Sequence, residues 1–186
     1  MNRTIIGAAL ALAVAVMPAA SRLSAQTADT FTAKATAQGD SVNATSIPIT
    51  IVINRYTTEA EQMAARNALN QSSDALRTAL KGMPAVGSMT DGKKTSVLKY
   101  AYKRPNSQSI TLLSDEPVAF LDPGVVKDKP KAGYDFALAI LDFSTPGFGV
   151  GELDPAVKVS LTPAGMIVTQ SYGATRVRLT MIEKKK

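Results

Sequence analysis

A chain of 186 residues fits one domain, and its 45% apolar residues can fill a core. It has no cysteine, histidine or tryptophan, which removes any disulfide framework, the thiol nucleophile and the commonest general base. The formal net charge of +6 is mildly basic, and with no recognisable motif beside it implies no specific nucleic acid.

Residues 1–25 read as a signal peptide. Arg3 supplies the positive start. Ile5 to Met17 is an apolar run, too short for a spanning helix of about 20 residues. Pro18 breaks it. Leu23-Ser24-Ala25 forms a cleavage site that leaves Gln26 first, with Pro18 to Ala20 a poorer alternative. The mature chain then has 19 basic and 15 acidic residues, a net charge of +4, and no transmembrane segment. The expected destination is periplasmic or extracellular. There the absence of cysteine leaves stability to packing alone.

Residues 26–45 form a polar segment in which Phe31 to Thr36 suits a first edge strand and Gly39-Asp40 a turn. A single α+β domain is expected over 46–183, with a basic tail at 184–186. Ser46 to Tyr56 is a strong strand. Ile47, Ile49, Ile51 and Ile53 share one face, and the β-branched content fits. Pro48 argues for an edge or a strand beginning.

Thr58 to Gly82 is the helical region. Thr58-Glu59-Ala60-Glu61 fits a capping box. Ala65, Leu69, Leu76, Leu80 and Met83 make one apolar stripe, and Pro84 prevents continuation. Asn70 to Ser73 are poor in a helix interior. Two short helices with a break near Asn70 to Ser72, or one kinked helix, both fit. Whichever forms must bury its stripe against a sheet.

Strands follow. Ala85 to Met89 is a short one, and Thr90-Asp91-Gly92-Lys93 turns the chain. Thr95 to Arg104 and Ser109 to Ser114 read as a hairpin, with Leu98, Tyr100 and Tyr102 on one side of the first strand. Val118 to Leu121 is a further short strand, and Gly124 to Gly133 a charged loop. Tyr134 to Phe143 is apolar on both faces and suits a strand covered on both sides. Pro146 to Gly151 reads as a flexible or bulged loop. Ala156 to Leu161, Met166 to Ser171 and Thr175 to Ile182, joined by turns, predict an antiparallel meander. The fold class is therefore α+β: a curved antiparallel sheet ending in a C-terminal meander. One broken helix or a pair of short helices packs its concave or core face.

The strand YDFALAILDF, the glycine-spaced GFGVGE and the ending YGATRVRLTMI resemble an uncharacterised family of small secreted bacterial proteins. The likeness covers most of the mature chain. It implies export and a helix break near Asn70 to Ser72. It supplies no activity, cofactor or site residue.

Chemical motifs are weak. GSMTDGKKT at Gly87 to Thr95 misses a phosphate-binding loop, because Lys94 stands where Ser or Thr is needed and a strand follows. Ser96-Val97-Leu98-Lys99 has Ser-x-x-Lys spacing, but an odd separation on a strand puts the pair on opposite sides. GFGVG at Gly147 to Gly151 has no helix after it. Asp115, Glu116, Asp122, Glu152 and Asp154 fall in predicted turns without a calcium-loop pattern. Asp142 ends an apolar strand. No catalytic, metal or cofactor residue is assigned. Lys93, Lys94, Lys99, Tyr100, Tyr102, Lys103 and Arg104 form a basic-aromatic stretch, the candidate surface for an anionic partner. The alternative is a solvated hairpin face with its tyrosines turned inward.

Three functions remain open. The first is an exported, non-catalytic domain that binds a small apolar ligand or an anionic envelope component. The second is a secreted hydrolase using paired carboxylates or a Ser–Lys arrangement. The third is a structural envelope-associated protein.

Overall fold

A computed structural model describes residues 28–38, 46–118, 132–144, 146–172 and 176–185. In chain order these form β1 (Asp29–Gln38), β2 (Ser46–Ile53), α1 (Glu59–Gln71), α2 (Ser73–Gly82), β3 (Gly87–Thr90), β4 (Thr95–Leu98), β5 (Tyr100–Lys103), β6 (Ser109–Ser114), β7 (Phe136–Asp142), β8 (Gly149–Leu161), β9 (Ile167–Ser171) and β10 (Arg176–Lys184). The fold is α+β with a curved antiparallel sheet, as the sequence predicts. The signal-peptide region, the Gly39-Asp40 turn, residues 119–121 of the expected strand from Val118, and most of the charged loop lie outside the described residues.

The strand order is β4-β3-β2-β1-β10-β8-β7-β6-β5, with β9 attached to β8. The two ends of that order are halves of one expected strand, parted by Lys99. β4 pairs with β3, and β5 pairs with β6. The Lys99 N–H donates to the Leu113 carbonyl at 3.0 Å. The sheet therefore curls into a nearly closed barrel.

The barrel is filled by every second strand residue. Phe31, Ala33, Ile49, Ile51, Ile53, Met89, Leu98, Ala101, Leu112, Ala139, Leu141, Leu153, Val177 and Leu179 are all buried in one apolar cluster. β1 is not the expected edge strand. It lies between β2 and β10, because Phe31, Ala33 and Ala35 put an apolar face into the barrel. Pro48 keeps its expected place near the start of β2, and β3 covers only Thr50–Ile53 of that strand.

Three irregularities re-aim side chains, and a strict period of two misses each. At Lys99 the parity flips, so Leu98 and Ala101 both face the interior while Tyr100 faces out. In β8 the register with β7 shifts between Leu138 and Phe136. Leu153 thus fills the barrel while Val157 and Val159 join the outer cluster. In β10 a bulge at Met181, with φ of 51°, returns Ile182 to the interior. Such bulges bend a strand and re-aim its side chains.

The helices do not sit in the concave face as expected. Their stripe (Ala65, Leu69, Leu76, Leu80) packs with Leu113, Phe136, Val157 and Val159 on the outside of the barrel. The interior is already occupied by strand residues, and the narrow stripe finds its match on this outer patch. Two helices form, as the Asn70 to Ser73 composition allows. Ser72 caps α2, its hydroxyl accepting from the Ala75 N–H at 3.0 Å. The Thr58–Glu61 capping box is present. Glu61 also meets Arg55 in a two-pronged pair at 2.7 and 2.8 Å. The Arg55 guanidinium holds the Glu61 carboxyl down at about 2.

The expected loop at Pro146 to Gly151 ends early, and Gly149 and Gly151 belong to β8. The expected meander through the last three strands does not form, because β10 runs between β1 and β8 and does not pair with β9. β9 and β10 both pair with β8, at residues 157–161 and 149–153.

Two glycines make opposite predictions. A Cβ on Gly87 would lie 2.0 Å from the Val52 carbonyl oxygen, while one on Gly82 meets nothing within 4 Å. Gly87→Ala should destabilise by about 3 kcal/mol or more, and Gly82→Ala should be neutral or stabilise by up to about 1 kcal/mol. Urea unfolding of both variants checks this. Glu61→Gln should lose about 1–2 kcal/mol at neutral pH. Because the Glu61 carboxyl is lowered from 4.5 to about 2, its contribution is complete above the unfolded value and is lost as pH falls through the folded one. The gap between Glu61→Gln and the parent should close between those two pH values in acid titrations of stability.

Candidate functional site

Two surface features stand out from the filled barrel. The first is a cleft of about 570 Å³ at the seam, lined by Lys94, Ser96, Lys99, Ser114, Asp115 and Glu116 among others. It exists because one strand serves two neighbours. β4 follows β3 and β5 follows β6, so a gap opens between β4 and the end of β6. Across it the Ser96 and Ser114 hydroxyls sit 3.3 Å apart. Asp115 beside them is buried. The Lys99 ammonium donates to the carbonyls of Met83 at 2.9 Å and Lys81 at 3.3 Å. It thus caps the C-terminal end of α2, where a cation is favourable. The Ser-x-x-Lys pair lines one cleft, but its lysine holds a helix end.

The basic-aromatic stretch is divided along its strand. Lys93 and Lys94 lie exposed in the β3–β4 turn, where the Asp91 carboxylate accepts from both backbone N–H groups at 2.8 Å. Lys103 and Arg104 lie at the far end and line a second cleft of about 500 Å³. Lys94 and Arg104 lie at opposite ends of β4 and β5, on either side of the bend at Lys99. Tyr100 packs against the helix cluster, and its ring lies 6.4 Å from that of Tyr102. Burial pushes the Tyr100 hydroxyl up. The stretch thus offers two separate basic ends rather than one patch.

The carboxylates expected in turns are dispersed, and Glu152 and Asp154 lie within β8 rather than in a turn. Glu152 pairs with Arg176 at 3.9 Å, and Asp154 accepts from the Ser171 hydroxyl at 2.8 Å. Asp142 accepts from the Ser144 N–H at 2.7 Å, and hydrogen bonds from the Ser144 side chain and backbone lower its carboxyl. Asp122 lies outside the described residues. Among the described residues no three acidic, histidine or cysteine side chains gather as a metal site. Near the Lys103 end, Asp29 accepts from the Tyr56 hydroxyl at 2.8 Å and meets Lys184 at 2.6 Å. Burial alone would raise Asp29; the bonds from Lys184 and Tyr56 outweigh it and lower the carboxyl. Burial and the Asp29 contact push Tyr56 well up.

The second feature is β9, an ordinary strand by its sequence. Met166 and Ile167 are each 63% exposed and Val168 is 41% exposed. β9 pairs with β8 along one edge, and among the described residues no strand pairs with the other. No family model, curated protein or solved structure matches the chain. The sequence signal for the β9 edge was the stretch 159–172, which contains no charged residue. Charge, proline and bulges are the usual guards of a strand edge, and here the strand itself has none.

The lysines divide by role. Lys99→Met should lower stability by about 1 kcal/mol, because two helix-end carbonyls lose their donor. Lys93→Met and Lys103→Met should stay within about 0.5 kcal/mol of the parent. Thermal unfolding of the three variants separates the helix-capping lysine from the exposed ones.

Proposed function

We propose that this protein is an exported, non-catalytic interaction domain that works from its surface, through the edge of β9. The observation that carries this reading is the uncharged β9 edge with Met166, Ile167 and Val168 exposed beside it. Such an edge presents unpaired N–H and C=O groups in a row and accepts another strand. A ligand carried inside the barrel has less to support it, since Ile51, Leu112, Leu141, Leu153 and Leu179 fill that space at 0% exposure. The seam cleft supports a hydrolase weakly, because Lys99 is engaged at α2. Residues 1–25 support export, and the likeness to a family of small secreted proteins points the same way. Among the described residues no helix is long and apolar enough to cross a membrane.

A photo-activated crosslinker placed at Thr169 in the producing cells tests the reading, with the same group at Arg178 on β10 as control. Discrete adducts should form from position 169 and not from 178. The crosslinked chain should begin at Gln26 by mass spectrometry and be found outside the cytoplasm. Absence of adducts at 169, or the same adducts from both positions, would overturn the reading.

A further inference from the structure

We infer that the strand received by the β9 edge is β9 of a second copy of this chain, joined antiparallel about a two-fold axis at Thr169. This rests on the reading above that the edge is a contact surface. The alternation of β9 fixes which groups are available. The Thr162 N–H donates to the Met166 carbonyl, and the Tyr172 N–H to the Ala156 carbonyl. In an antiparallel ladder, bonded pairs recur every second residue. Val168 and Gln170 therefore turn their backbone groups to β8, opposite Ser160 and Lys158. Ile167, Thr169 and Ser171 turn theirs to the open edge.

Those three residues form a self-complementary set. With a two-fold axis at Thr169, Ile167 of one copy faces Ser171 of the other, and Thr169 faces its own equivalent. Each of these pairs exchanges two hydrogen bonds. The facing threonines form a favourable cross-strand pair. An isologous contact of this kind closes on itself and does not propagate into a fibre.

Charge and shape favour a second copy over a foreign peptide. Residues 159–172 carry no charge, so the two β9 strands bring no like charges face to face, the adjacent Lys158 lying one strand further in. Strand-adding peptide sites draw specificity from pockets for alternate side chains. The two clefts described above lie instead at the seam and at the β5–β6 turn. Neither cleft lies on β9, where a two-fold axis would itself set the register. A five-residue ladder is small, below the roughly 1,200 Å² of a standard interface. The dimer is therefore weak and reversible, with a dissociation constant on the order of micromolar.

Sedimentation equilibrium of the mature chain should show a monomer–dimer equilibrium across micromolar concentrations. Thr169→Pro removes an outward N–H while leaving the β8–β9 bonds intact. It should weaken the dimer about thirty-fold or more, two hydrogen bonds being lost per dimer, with unchanged circular dichroism. Thr169→Lys, which keeps the N–H and sets two charges face to face, gives the same result if proline disturbs the hairpin. Because the chain has no cysteine, Thr169→Cys should be joined across copies by a short thiol crosslinker, and Arg178→Cys should not. A strictly monomeric parent chain, or a dimer indifferent to both Thr169→Pro and Thr169→Lys, overturns the inference. If the parent is monomeric yet the Thr169 photo-crosslinker captures a foreign protein, self-pairing fails and the interaction reading stands. If it captures nothing, both fail.

Discussion

A sheet that curls back on its own strand must fill its hollow with every second side chain it owns. That packing constraint governs this molecule. Small residues on some strands, Ala33 and Ala35 on β1, Ala101 on β5, Ala137 and Ala139 on β7, leave room for Ile49, Ile51 and Ile53 on β2 and Leu112, Leu153 and Leu179 elsewhere. Small barrels commonly mix small and large inward residues in this way. Truncating one of the large ones to alanine would typically cost about 2–5 kcal/mol. With no disulfide, and no cysteine to make one, the interior has to supply what a staple would otherwise give.

A filled barrel has no place for helices, and the rest of the architecture follows from that. The helical stripe goes to the outer face of β6, β7 and β8, where Leu113, Phe136, Val157 and Val159 await it. β8 reaches that face only because its register shifts against β7. The same strand then runs past the end of β10's pairing and takes β9 as its partner. The exposed strand edge is thus a by-product of covering the helices. The seam cleft arises likewise, from one strand that bends at Lys99 to serve two neighbours.

Polar contacts fasten the joints between these layers. Arg55 and Glu61 tie the end of β2 to the start of α1. Lys99 ties the seam to the end of α2. Asp29, Tyr56 and Lys184 gather the start of β1, the chain beyond β2 and the end of β10. The Thr57 hydroxyl, buried, accepts from the Ala101 N–H at 2.8 Å and supports β5 on the edge away from β6. Each lies where a strand gives way to a helix or where the ring nearly closes. Hydrogen bonds to charged or buried groups are worth most at such places.

The sequence by itself determined the local structure. The Ile47 to Ile53 alternation, the Thr58 capping box, the helix break at Ser72 and the turns at Gly92 and Gly165 are written in neighbouring residues, because they depend on backbone propensity and hydrogen bonds a few positions apart. The tertiary structure alone decided that β1 is central, that the helices lie outside, that Lys99 caps a helix and that β9 is left at an edge. Each depends on which distant strand arrives alongside. The flips at Lys99, Pro155–Ala156 and Met181 exchange one face for the other without changing the composition of the segment. A period of two cannot register them, and every later assignment of inside and outside rests on them.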